Sequence, residues 1–207
     1  MTSAGRQSER PDATRSNRKA LPFLVVASAY ILAHGLTAML VTPLQSHVLP
    51  GVTPFASLLY LPHGVRVLAA WLMGRASFVP LCVGAFLSEA LFTPSGISSV
   101  SDPTIIVSII VGAGSAILSF ELMALAGQRL YACERAGTRW PKLFIVGVMA
   151  SVINSAAQSV VFSGLVLPHH FFAVLSVYAL GDVLGLAVTA LVLMLCFRWL
   201  RLWSGRR

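Results

Sequence analysis

Four charged side chains stand inside long apolar stretches of the sequence, namely Arg66, Glu89, Glu121 and Asp182. A charge within membrane hydrocarbon is costly and by default marks a function or a partner. At about 1.5 Å of helix rise per residue, Arg66 and Asp182 both lie roughly 16 Å below the predicted outer ends of their helices. They are the only opposite charges that match in depth. We therefore predict an ion pair between them, which either clamps two helices or opens to hold a charged ligand.

Neutral polar residues add to this predicted midplane cluster. His34 lies roughly 14 Å deep by the same count. Further along the chain, one predicted helix carries polar residues at the spacing of a single face: Ser151, Asn154, Ser155, Gln158 and Ser159. That face must point inward, as a ligand wall or as interhelical packing, because lipid would leave its amides unsatisfied. The predicted ligand- or partner-binding residues are Asp182, Arg66, His34, Asn154, Gln158 and His63.

Small residues predict close helix packing at two places. One stripe contains Gly112 and Ser115, and a GxxxG motif is formed by Gly181 and Gly185. Such residues let backbones approach closely, and they are more often packing than chemistry. The GxxxG motif fits an internal crossing as well as a homo-oligomer.

The region before Arg66 has two interpretations. Pro50, Pro54 and Pro62 crowd it, so either a helix begins near Phe55 and kinks at Pro62, or a re-entrant segment of 50–64 precedes a later helix. A non-helical backbone at membrane depth is stable only where protein or water satisfies its hydrogen-bonding groups. His63 is therefore a candidate for the wall of a cavity.

Composition places these residues in a membrane. The chain has 207 residues, of which 57% are hydrophobic and only 11% charged. An ordinary soluble domain is about a quarter charged, so a soluble enzyme, a disordered regulator and a disulfide-rich scaffold are excluded. We predict an all-α integral membrane fold with about six transmembrane helices, near 21–43, 55–74, 78–93, 104–127, 143–167 and 171–197.

The net charge of +8 orients these helices. With a cytoplasmic N-terminus, fourteen of the fifteen basic residues are cytoplasmic and the outer loops carry none. That positive-inside pattern predicts an N-in, C-in topology in the inner membrane of a bacterium. The basic charge is then explained by orientation and by attraction to membrane lipids, not by nucleic acid.

The predicted organisation is simple. Residues 1–19 form a disordered basic tail, 20–203 a single six-helix domain, and 204–207 a basic end. No GxSxG or HExxH motif is present, so no catalytic residues and no enzymatic activity are predicted. No metal site or cofactor is predicted either, since His34 has no deep histidine partner for haem and the outer histidines lack ligand spacing.

Two stretches carry a family resemblance. The first stretch is 60–89, which contains an aromatic residue, a proline and a glycine, then a Gly-Arg pair, a second proline and a Gly-Ala pair. These positions are Tyr60, Pro62, Gly64, Gly74, Arg75, Pro80, Gly84 and Ala85. In 180–195, a Gly-Asp-x-x-Gly segment falls on Gly181, Asp182 and Gly185. Together they resemble the first type of membrane-associated sensor domain, the MASE-one family. The family's usual tryptophan and second proline are Tyr60 and His63 here, and Arg66 is an unusual charge.

The resemblance implies a multi-helix sensor module. The family commonly precedes a diguanylate cyclase or histidine kinase domain, and none follows Trp203, so signalling needs a separate signalling or membrane protein as partner. We expect a sensor-like module that binds a small ligand or a partner through the midplane cluster. The alternatives are a small-molecule transporter or its substrate-capture subunit, and an assembly subunit of a membrane complex.

Overall fold

The structure is a computed structural model that describes residues 13–48, 57–93, 100–132, 140–162 and 171–204. Within those ranges the chain is helical, with no strand. The α-helices are α1 (Ala13–Leu36), α2 (Thr42–Val48), α3 (Leu61–Met73), α4 (Phe78–Phe92), α5 (Pro103–Leu125), α6 (Trp140–Val161) and α7 (Phe171–Ser204). A π-helical segment (Thr37–Val41) joins α1 to α2, and a 3₁₀ turn (Gly74–Ser77) joins α3 to α4.

In the part of the chain that the structure describes, five helical stretches are long and apolar enough to cross a membrane: Ala20–His47, Leu61–Phe92, Pro103–Leu125, Trp140–Val161 and Tyr178–Ser204. Their outer faces keep large apolar side chains exposed, such as Leu32 at 67% and Leu125 at 84%. An apolar surface of this extent on a helical chain is typical of lipid contact. The fold is therefore that of a multi-pass membrane protein.

The stretch Leu61–Phe92 folds back on itself at Gly74. This glycine has a φ of +59°, which a side chain would disfavour, and it ends α3. Helix α3 runs antiparallel to α1, because Leu61 contacts Thr37 while Arg66 contacts Tyr30. Helix α4 runs parallel to α1, as shown by the approach of Gly84 to Ala27 and of Gly35 to Phe92. Helices α3 and α4 thus form a hairpin of two short antiparallel helices.

The remaining helices continue this alternation. Helix α5 runs parallel to α3, since Gly112 lies against Arg66 and Glu121 against Arg75. Helix α6 runs antiparallel to α5, because its ends join Gln158 to Ser108 and Lys142 to Gln128. Helix α7 is antiparallel to α6 and parallel to α3. The six longer helices therefore alternate in direction along the chain.

Helix α3 lies at the centre of the bundle, with residues 62–70 all buried. Val67 packs with Phe120 and Leu186 in one apolar cluster. Tyr30 packs with Val65 in a second apolar cluster, between α1, α3 and α4. Helix α3 therefore contacts all five of the other long helices, α1, α4, α5, α6 and α7.

Several predicted boundaries differ from the structure. Helix α1 begins at Ala13, so residues 13–19 are helical and only 1–12 of the predicted tail lie outside the described residues. It continues as helix to Val48, past the predicted end at 43, because the π-helical segment carries the helical path into α2. Helix α7 extends to Ser204, beyond the predicted end at 197.

The interpretation that a helix begins near Phe55 is wrong. Residues 57–60 are non-helical, and α3 begins at Leu61 with Pro62 in its first turn. Proline is tolerated there because the first-turn N–H groups have no intrahelical partner. The alternative of a non-helical segment before a later helix agrees with residues 57–60, while 49–56 lie outside the described residues.

Candidate functional site

The buried centre of the bundle contains a pair formed by His63 of α3 and Asp182 of α7. Nδ1 of His63 lies 3.3 Å from Oδ2 of Asp182, and both residues are 0% exposed. On the other side of the ring, Nε2 of His63 donates to the backbone carbonyl of Gly147 on α6 at 3.1 Å. The imidazole therefore connects three helices.

Arg66 lies one helical turn after His63, but its side chain contacts Tyr30 and not Asp182. Its Nη2 donates to the hydroxyl of Tyr30 at 2.7 Å, and its guanidinium lies 5.5 Å from the ring centres of Tyr30 and Tyr60. The same guanidinium packs directly on the backbone of Gly112. Arg66 is 5% exposed, so a full positive charge is held among aromatic rings in the protein interior.

The predicted ion pair between Arg66 and Asp182 is therefore not formed. Asp182 lies against His63 instead, and Arg66 is bonded to Tyr30. Depth along a helix axis does not decide which way a side chain points around it. His63 occupies the position facing α7, and Arg66 faces α1 and α5.

Helix α6 contributes polar side chains to the site beside α3 and α7, as its polar stripe predicts. Asn154 and Ser155 are buried, and Nδ2 of Asn154 lies 3.5 Å from Oδ2 of Asp182. Gln158 is half-buried and donates to the carbonyl of Ser108 at 3.0 Å, so it ties α6 to α5 away from Asp182. Of the stripe, Asn154 belongs to the central site and Gln158 to the helix packing.

Several buried polar atoms around Asp182 have no hydrogen-bond partner in the protein. They are Nδ1 of His63, Oδ1 of Asn154, Oγ of Ser155 and Oδ1 of Asp182, and Oε1 of Gln158 is likewise unbonded further along α6. Buried polar groups are nearly always bonded, because an unsatisfied one costs about 1–3 kcal/mol. We call His63, Arg66, Asn154, Ser155 and Asp182 the polar cluster.

His34 lies beside the polar cluster and does not reach Asp182. It is half-buried, and its ring stacks on Phe92 at 6.0 Å and on Tyr30 at 6.4 Å. Its Nδ1 has no hydrogen-bond partner. The predicted meeting of His34 with Arg66 is thus indirect, through Tyr30.

The small residues predicted for packing allow close backbone contacts beside the polar cluster. A Cβ on Gly181 would strike the carbonyl of Ser57, and one on Gly185 would strike the carbonyl of Tyr60. The amide of Tyr60 donates to the carbonyl of Gly181 at 3.0 Å. The GxxxG motif is therefore covered within the chain by residues 57–60. On α5, buried Ser115 donates to the carbonyl of Gly112 at 2.9 Å.

A second polar group lies at the end of the bundle that contains the α3–α4 turn. Arg75 donates to both carboxylate oxygens of Glu121, at 2.8 and 2.7 Å, and the hydroxyl of Tyr131 donates to Glu121 at 2.9 Å. These side chains and Arg129 border an open cavity of about 620 Å³. Arg75 is 79% exposed, so this ion pair lies in contact with solvent or lipid headgroups.

Two residues of the site were not predicted from the sequence. Tyr30 precedes His34 by four residues and so shares its helix face, which was a usable signal. Gly147 contributes only a backbone carbonyl, which no side-chain pattern reveals. Within the described ranges, no group of three His, Cys, Asp or Glu side chains is placed to hold a metal ion.

Comparison with known proteins assigns no relative to this arrangement. No family model matches the chain, and neither a curated protein nor a solved structure matches it.

Proposed function

We propose that this chain is a sensor-like integral membrane module that binds a small polar ligand in the polar cluster, without a catalytic output of its own. The observation that carries the proposal is the set of buried atoms without partners around Asp182. A bound polar molecule would form the hydrogen bonds that these atoms do not form within the protein. The resemblance to the MASE-one family supports a sensor, with a separate membrane or signalling protein as its output.

Interhelical packing alone accounts less well for these atoms. Where buried hydroxyls serve packing here, they are bonded, as in the contacts of Ser115 with Gly112 and of Ser119 with Ser115. The hydroxyl of Ser155 and Oδ1 of Asp182 are also buried, yet they are left unsatisfied. The difference separates a binding surface on α6 and α7 from a packing surface on α5.

The proposed topology has six crossings, with both termini in the cytoplasm of a bacterium. The alternating directions of the helices support it. So does the placement of charge, because Arg75, Arg129 and Lys142 gather at the turn end of the bundle. Basic residues concentrate on the cytoplasmic side of membrane proteins.

Native mass spectrometry of protein gently extracted from its own membranes tests the proposal. The wild type is expected to carry a bound small molecule that Asp182→Asn loses. The control is Glu121→Gln, which changes a carboxylate outside the polar cluster and should keep the molecule. A wild type that carries no molecule, or an Asp182→Asn variant that retains it, contradicts the proposal.

A transporter is the second candidate, and one observation favours it. The π-helical segment Thr37–Val41 interrupts the first helix next to the site, where Oγ of Thr37 accepts from the amide of Leu61 at 3.3 Å. Such segments are frequent at functional sites, and a buried carboxylate can couple transport to an ion. Counterflow of the ligand in proteoliposomes distinguishes the two, because a sensor does not move its ligand.

A further inference from the structure

The hydrogen bonds of His63 fix which nitrogen carries a hydrogen. The carbonyl of Gly147 can only accept, so Nε2 of His63 must be the N–H donor in that 3.1 Å bond. In the neutral imidazole the other nitrogen, Nδ1, then carries a lone pair and no hydrogen.

That bare nitrogen faces another acceptor. Oδ2 of Asp182 lies 3.3 Å from Nδ1, and an ionised carboxylate has no hydrogen to give. Both groups are fully buried, where an unmade hydrogen bond is most costly. The contact is therefore repulsive unless a hydrogen lies between the two atoms.

No other described group closes this gap. Asn154 directs its amide nitrogen to Oδ2 at 3.5 Å, and Oδ1 of Asp182 has no partner at all. The charged and titratable groups that act on the pair directly are Arg66 of α3, Tyr60 before α3 and Tyr178 of α7. Tyr30 and His34 of α1 lie beyond Arg66 and interact with it. The side chains that α6 places beside the pair are neutral, namely Ser151, Asn154 and Ser155.

We propose that the polar cluster is a proton-binding site, in which one proton is shared between Nδ1 of His63 and the carboxylate of Asp182. The inference goes beyond the proposed function, because the pair takes up a proton whether or not a small molecule is bound beside it. The proton comes from water, and its uptake turns the repulsive contact into a charge-assisted hydrogen bond.

The charge balance allows the proton to leave as well as to bind. Without it, Arg66 and Asp182 cancel and the cluster is neutral. With it, the cluster carries one net positive charge in a low-dielectric interior, which opposes binding. Hydrogen bonding and charge thus act in opposite directions, as a site that loads and unloads requires.

Infrared difference spectra of the protein in lipid nanodiscs, recorded between mildly acidic and mildly alkaline buffer, test the inference. The wild type should show imidazole and carboxyl bands that change together. Asp182→Asn should abolish both changes, because its amide can donate to Nδ1 permanently. His63→Gln should abolish them too, and its amide can keep the bond to Gly147. Glu121→Gln should retain them.

The outcomes separate this inference from the proposed function. An unchanged wild-type spectrum, or a full band change in either His63→Gln or Asp182→Asn, overturns proton binding at this pair. Loss of the change in both variants establishes it. The mass-spectrometric result is independent of the infrared result. A bound molecule without a spectral change supports the ligand site and contradicts proton binding. A spectral change without a bound molecule supports proton binding and contradicts the ligand site.

Discussion

The guanidinium of Arg66 donates to the hydroxyl of Tyr30 across the α1–α3 contact, at 2.7 Å, with both residues buried. A charged group is thus stabilised by a neutral hydroxyl and by aromatic faces, while the carboxylate of Asp182 is left to His63. This division leaves Asp182 without a permanent counterion in direct contact. It is the physical reason that Oδ1 of Asp182 has no hydrogen-bond partner, which is the feature on which the proposed ligand site rests.

Tyr30→Phe is expected to destabilise the fold. The substitution removes the acceptor of Arg66 Nη2 while keeping the ring, so the loss reports a hydrogen bond to a charged group, worth about 1.5–3 kcal/mol. Chemical or thermal unfolding in detergent measures it. The matched control is Tyr131→Phe. It removes a half-exposed hydroxyl that donates to the carboxylate of Glu121, and it should change stability little. Equal effects of the two variants would contradict the role given to Tyr30.

Gly185→Ala is expected to disrupt the contact between α7 and the start of α3. Its Cβ would strike the backbone carbonyl of Tyr60, which cannot move like a flexible side chain. Overpacking of this kind costs about 1–3 kcal/mol or more. Gly114→Ala is the control, because its Cβ would meet only Phe78 at 3.9 Å. Gly114→Ala should be neutral or stabilising, because Ala has the higher helix propensity. Unfolding midpoints that fall alike for both variants would contradict the role given to the close approach at Gly185.

The orientation of the bundle is testable with fluorescent protein fusions, which fluoresce in the bacterial cytoplasm and not outside it. A fusion after Arg207 is expected to fluoresce, because the proposed topology places the basic ends of the helices in the cytoplasm. A fusion truncated after Thr93, at the end of α4, should stay dark. The reverse pattern would show that the Lys and Arg distribution does not orient this protein.

The pattern of the sequence predicts the helices better than the contacts among them. Hydropathy and prolines locate the helical segments, and the spacing of the α6 stripe predicts which face turns inward, as the burial of Ser151, Asn154 and Ser155 confirms. The start of α3 was missed in one interpretation because Pro62 fits a first turn as well as a kink. The helical start of α1 at Ala13 was missed because residues 13–19 lack apolar periodicity.

The partner of Asp182 could not be predicted from depth. Arg66 and His63 are three residues apart, and only the rotation of α3 decides which of them faces α7. Charge alone favours Arg66, yet the aromatic surroundings of Tyr30 and Tyr60 satisfy the guanidinium elsewhere. Packing around the helix, which needs all the neighbouring helices at once, determines the site.

Whether the polar cluster is a binding site or interhelical packing is tested most directly by the unfolding midpoint of Ser155→Ala beside that of Ser119→Ala. Both hydroxyls are buried, but Ser119 donates to the carbonyl of Ser115 at 2.9 Å and Ser155 has no partner. Removing an unsatisfied hydroxyl should leave the ligand-free protein as stable as the wild type, or more stable by about 1 kcal/mol. Ser119→Ala should lower stability by about 1 kcal/mol. A clear loss of stability in Ser155→Ala, equal to that in Ser119→Ala, would show that the cluster is packing and contradict a ligand site.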